Sequence, residues 1–141
     1  MTTKAKATRK FQNDMTIGRT NLSGIGFRNP GDLAVGKDGE VYVISRATVA
    51  QEYGTRITWF DVNEEFHGEF GHRGSRDGEF LWPVSATVSS DVRLFVSDDW
   101  LSRISIFSRD GKFLSVRGTK GTGDGEMDSP MGIAFDPEDN L

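Results

Sequence analysis

The chain repeats itself, and a repeat limits the possible folds more than composition does, because each copy must be able to pack on the next. Three segments share an opening: GFRNPGDLAV from Gly26, EFLWPVSATV from Glu79 and EMDSPMGIAF from Glu126. The first two continue alike. The run from Thr55 to Phe60 answers the run from Ser102 to Phe107, and Gly71 answers Gly118. Arg56 and Arg103 are 47 residues apart, as are Gly71 and Gly118, whereas Pro30 and Pro83 are 53 apart. The six extra residues fall between Val43 and Arg56, so the unit is 47 residues with an insertion in the first copy, within Arg46–Gly54.

Each unit reads as four short strands. The apolar runs are rich in Val, Ile, Phe, Tyr and Trp and are divided by Gly, Asp, Asn or Pro, the pattern of strands between turns. Asp38-Gly39 and Asp110-Gly111 suit hairpin turns, where positive φ is needed. No stretch carries capped 3.6-residue periodicity, so almost no helix is expected. A repeated four-stranded unit selects a β-propeller over a sandwich or a barrel. The expectation is therefore all-β: a partial propeller of four-stranded antiparallel blades.

The phase of the repeat sets the expected boundaries. Gly71 precedes Pro83 by 12 residues, Gly118 precedes Pro130 by 12, and Gly18 precedes Pro30 by 12. Met15-Thr16-Ile17-Gly18 thus reads as the outer strand of a blade whose other strands are missing upstream. The divisions expected are a disordered basic tail over about 1–10 and a partial propeller over about 11–141. Within the latter fall an orphan outer strand at about 11–18, blade 1 at about 27–71, blade 2 at about 80–118 and the start of blade 3 at about 127–141. Because propellers have about four to eight blades, the expectation is a truncated chain or part of an assembly. Missing blades or a second chain would be needed to close the ring.

Composition excludes several classes of function. The chain lacks cysteine, which removes disulfides, thiol catalysis and thiolate metal sites. A net charge of −4 argues against a general nucleic-acid binder. There is no apolar run long enough for a membrane helix and no secretory stretch at Met1, so a cytoplasmic location is expected.

The segments Pro130-Met131-Gly132-Ile133-Ala134-Phe135-Asp136-Pro137 and Phe95-Val96-Ser97-Asp98, continuing through Arg103 to Leu114, resemble the NHL repeat. That resemblance covers about residues 16–141 and implies a β-propeller, commonly six-bladed. It departs from the pattern at Ser45, where the second copy has Asp98, and at Pro83-Val84-Ser85-Ala86. The family includes interaction modules of ubiquitin ligases, RNA-binding domains, sensor domains and a zinc-using lyase. Function must therefore be read from the site and not from the fold.

Candidate site residues follow from loop geometry. In a four-stranded blade, the loops before strand one and between strands two and three emerge together. His72, Arg73, Arg76, Trp82, Asp99, Trp100 and the insertion beginning at Arg46 are thereby placed on one rim. Loops on a rigid scaffold carry binding residues, and Trp and Arg dominate hot spots. Asp98 and Arg103 read as a structural turn pair tying strands two and three, as the resemblance also implies. Asp77-Gly78-Glu79 and Asp124-Gly125-Glu126 read as turns and not as a Ca²⁺ loop. His67 and His72, the only histidines, do not make a zinc ligand set.

The function expected is a non-catalytic scaffold that binds a protein or small-molecule ligand through this rim, without cofactor, metal or membrane. Two alternatives are a propeller enzyme with a metal in its central channel and an RNA-binding domain. The latter would use Arg93, Arg109, Lys112, Arg117 and Lys120, which are interrupted by Asp91 and Asp110.

Overall fold

A computed structural model describes residues 26–48 and 53–141. The basic tail, the orphan strand at 11–18 and the middle of the insertion lie outside these residues. Eight strands are described: β1 Pro30–Val35, β2 Glu40–Ser45, β3 Arg56–Asp61, β4 Phe66–Phe70, β5 Pro83–Val88, β6 Leu94–Asp98, β7 Arg103–Phe107 and β8 Phe113–Arg117. They form two antiparallel four-stranded sheets, ordered β1-β2-β3-β4 and β5-β6-β7-β8. The described residues contain no helix. These sheets are the two blades, and the fold is an open portion of a β-propeller.

The repeat extends to irregularities of register. Both first strands carry a shift just after the proline (Pro30/Asp32 and Pro83/Ser85). Both third strands carry one at Trp59/Phe60 and Ile106/Phe107. The turn between strands one and two recurs three times. Gly36, Ser89 and Asp136 donate to the carbonyls of Glu40, Arg93 and Asn140 at 2.8, 2.9 and 3.0 Å. Its left-handed position is held by Gly39 (φ 86), Val92 (φ 63) and Asp139 (φ 65). A β-branched residue there is strained, because its side chain crowds the backbone.

The central strands are buried on both faces. One face of β2, with Tyr42 and Ile44, joins Ala34 and Ile57 against Phe80, Ala86, Leu94, Val96 and Phe107 of the second blade. This seam is the main core. Polar ties cross it: Asp32 accepts from Ser85 Oγ at 2.8 Å and from the Ala86 amide at 2.9 Å. Tyr42 donates its hydroxyl to the Arg109 carbonyl at 2.8 Å. The Arg109 guanidinium pairs with Glu40 and lies 3.5 Å from Asp38. Among the turns that follow the first strands, Lys37 donates to the Ser90 carbonyl at 3.0 Å, and Ser90 Oγ donates to Asp139 at 2.9 Å.

The expected first strand of a third blade is not formed: residues 130–135 carry no ladder. A strand needs a paired neighbour, and the described residues contain none for this segment. It is nonetheless seated where such a strand would lie. Ile133 and Phe135 pack on Phe95, Ile104 and Ile106, with Phe135 edge-on to Phe95 at 4.9 Å. The Ile133 amide donates to Ser85 Oγ at 3.3 Å, and Ser97 Oγ donates to the Met131 carbonyl at 2.7 Å.

Candidate functional site

The loop before β5 is folded by its own backbone. The Phe80 amide donates to the His72 carbonyl at 2.9 Å and the Gly74 amide to the Phe80 carbonyl at 3.0 Å. Phe80, fully buried in the seam, anchors it from below. Glu79 closes the turn by accepting from the Arg76 amide at 2.8 Å. That amide, helped by His72 Nε2 at 3.0 Å, holds the Glu79 carboxyl below its usual range. Glu126 repeats the turn by accepting from the Gly123 amide at 2.8 Å. The two acidic clusters are therefore turns stabilised by their own amides.

Asp98 and Arg103 lie opposite each other in the β6–β7 ladder, but they do not make the expected tie across the hairpin. The Asp98 carboxylate is fully buried and accepts from three amides: Leu81 at 2.8 Å, Trp82 at 3.0 Å and Leu101 at 2.9 Å. Arg103 donates to the carbonyls of Ser75, Arg76 and Glu79 at 3.3, 2.7 and 3.1 Å. Both charges serve the rim loops. Backbone groups in those loops have no ladder partner, so charged side chains satisfy them.

These anchors shape a half-open pocket of about 490 Å³ lined by Arg73, Leu81, Trp82, Asp99 and Trp100. Trp82 is held by Asp98 through its amide, and its carbonyl accepts from the Asp99 amide at 3.1 Å. The Arg46 guanidinium, from the first blade, covers the Trp82 ring at 5.1 Å. Trp100 is 74% exposed and also borders a second hollow with Asp99, Ser102, Lys120 and Ser129. Of the rim residues expected from sequence, the structure brings together Arg46, Arg73, Trp82, Asp99 and Trp100. It does not bring His72 or Arg76 to the pocket. The His72 side chain turns to Glu79, and the Arg76 backbone serves the turn.

No family model matches the chain. It is 37% identical over 65 residues to RING finger protein nhl-1 of Caenorhabditis elegans, covering 46% of this chain and 7% of that protein. It is 27% identical over 125 residues to the human NHL repeat-containing protein 3, covering 84% of this chain and 33% of that protein. The chain is thus similar to NHL-repeat proteins and spans a third or less of the length of these two relatives. Among solved structures, the chain superposes on Kuenenia stuttgartiensis hydrazine synthase with a TM-score of 0.57 at 17% identity. That match covers 92% of this chain and 31% of that one, and the likeness is one of fold.

Sequence reasoning missed Leu81. It lines the pocket where the other copies place Arg28 and Asp128, and an apolar residue at a position polar elsewhere was the available signal. It also missed Asp32, a carboxylate on the first strand β1. Its Oδ2 is taken by Ser85 and Ala86. Among the described residues no three His, Asp or Glu side chains converge as a metal site. The basic residues of the second blade are largely engaged within the chain. Arg109 pairs with Glu40, Arg93 pairs with Asp91 at 2.8 Å, and Arg93 and Arg117 both lie over Phe95.

Proposed function

We propose that this chain is an interaction scaffold that binds a partner protein through the pocket between Trp82 and Trp100. The exposed Trp100 carries the proposal. A large indole left 74% in solvent beside a preformed hollow forgoes burial energy, and Trp and Arg around a pocket are the side chains that dominate binding hot spots. The blades supply rigidity and the loops supply recognition. The names of the two relatives support a repeat-scaffold reading. The longer protein to which such blades belong is proposed to be a six-bladed propeller, the number common in the family.

The test compares proteins retained from a lysate by the immobilised chain with those retained by Trp100→Ala and by Trp59→Phe, a partly buried ring in β3 that does not line the pocket. The proposal expects a set lost with Trp100→Ala and kept with Trp59→Phe. Identical retention by all three would overturn it.

A further inference from the structure

Charges of both signs stand at the pocket. Arg46 lies over the Trp82 ring, and Arg73 and Asp99 form part of the wall with Trp100. Neither Arg46 nor Arg73 belongs to any ion pair among the described residues, although other arginines of the chain do. In a protein of net charge −4, carboxylates were available to neutralise them. Two unpaired guanidiniums therefore flank an apolar hollow made by Leu81, Trp82 and Trp100.

We infer that the partner is an extended acidic peptide segment with an apolar anchor. This inference rests on the scaffold reading above and names the chemistry its pocket recognises. The anchor side chain enters between Trp82 and Trp100 over Leu81. Aspartate or glutamate side chains beside it meet Arg46 and Arg73, which can each offer paired N–H donors to a carboxylate. Asp99 accepts from a backbone N–H of the segment. A nucleic-acid strand fits less well for two reasons. Arg46 already covers one face of Trp82, which leaves few faces for successive bases to stack on. Asp99 in the wall, with Asp77 and Asp124 on neighbouring loops, repels a continuous run of phosphates. A peptide can set its charges only where the arginines stand.

The experiment uses the whole chain and follows tryptophan fluorescence on titration with three synthetic peptides. They share one sequence around a central Leu and carry Glu, Gln or Lys at the flanking positions. A uridine oligonucleotide is titrated as a fourth probe. The inference expects the Glu peptide to bind and the Lys peptide not to. It expects the Glu complex to weaken with added salt, since screening weakens exposed charge pairs. Arg46→Gln with Arg73→Gln should weaken the Glu peptide about tenfold or more, the effect of losing hydrogen bonds to charged groups. The same double variant should weaken the Gln peptide less than the Glu peptide, since only the Glu peptide loses a charge pair, while Trp100→Ala should weaken both. Thermal melts of each variant check that the fold is kept, as neither arginine is tied to another side chain by an ion pair. Equal binding of Glu, Gln and Lys peptides, still lost in Trp100→Ala, would overturn the acidic partner and leave the scaffold reading standing. Binding of the oligonucleotide in competition with the peptide would overturn the partner class. Failure of every probe to bind, with Trp100-dependent retention from lysate intact, would overturn this inference alone.

Discussion

The two blades share one β framework and differ in how their rims are held. In blade 2, Asp98 takes three amides and Arg103 three carbonyls, and Glu79 closes the loop. In blade 1, Ser45 stands in the place of Asp98 and, among the described residues, accepts from the Arg28 amide at 3.2 Å. Arg56 reaches the Gly26 carbonyl at 2.8 Å and lies 3.0 Å from Glu69. Gly26 occupies the Glu79 position and has no side chain to cap a turn. The pocket lies against the fully anchored rim. Preorganised loops lose less entropy on binding, so the copy with the charged anchors is the one suited to recognition. The insertion in blade 1 contributes Arg46, which reaches across to Trp82.

The largest test of this contrast concerns the plugs beneath the two loops. Phe80 is fully buried against Phe107 at 5.7 Å, whereas Phe27, at the matching position, is half-buried against Phe60. Phe80→Ala should cost about 3–5 kcal/mol, as truncation of a buried aromatic does. Phe27→Ala should cost about half as much or less, in proportion to the area it hides. Urea denaturation of both variants measures the difference, and equal losses would erase the asymmetry. Next in size are the anchors themselves. Asp98→Ala strands three amides and should cost about 3 kcal/mol or more, while Ser45→Ala strands one and should cost about 1 kcal/mol. Asp98→Ser, which gives blade 2 the blade 1 residue, should fall between them. If Asp98→Ala were as mild as Ser45→Ala, the charged anchor would not be what distinguishes the rims.

Most of the β framework was legible because its causes repeat. The spacing of 47 residues between Arg56 and Arg103 carried the unit. Turns such as those at Gly39 and Gly111 declared themselves through Asp-Gly, which tolerates positive φ, whereas the Val92 turn carried no such signal. The rim was partly legible: loop phase placed Trp82, Trp100, Asp99 and Arg73 together, as the pocket has them. The partners of charged groups could not be read. Asp98 and Arg103 are opposed in register, and a sequence shows opposed charges as a pair. Burial instead turns each toward loop backbone, since unsatisfied amides and carbonyls cost more than an unmade ion pair. The same limit hid Asp32 and Leu81, whose roles depend on neighbours brought in by the seam. The segment at 130–135 was read as a strand because its composition matches the copies, yet a ladder also requires a partner.

A smaller effect separates the turns. Gly39 and Asp139 hold the left-handed position in two copies, but Val92 holds it in the middle one. Val92→Gly should raise stability by about 1 kcal/mol, the cost of placing a β-branched residue there. Gly39→Val, the reciprocal change, should lower it similarly. Thermal melts of both variants read the pair, and a loss on Val92→Gly would mean that the side chain's packing outweighs its strain.

The smallest difference lies in the central strands, where Tyr42 in blade 1 matches Phe95 in blade 2. Tyr42 is fully buried at the seam and donates to the Arg109 carbonyl. Burial, with the Glu40 carboxylate adding to it, pushes its phenol up to about 12. The folded chain therefore holds this proton more tightly than the unfolded chain, whose tyrosine titrates near 10. Above about pH 10 the unfolded state binds fewer protons than the native state, so stability falls as pH rises. The contribution is complete below about pH 10 and lost progressively toward about pH 12. Tyr42→Phe gives blade 1 the blade 2 residue. It should cost about 1 kcal/mol at neutral pH for the lost hydrogen bond, and it should flatten the decline between about pH 10 and 12. Urea melts at a series of alkaline pH values isolate the effect, because other titrating groups are common to both proteins. Parallel declines in the two would show that the phenol ionises without opposing the seam. A flatter profile in Tyr42→Phe would show that this hydroxyl is a tie between blades which the second blade does not need.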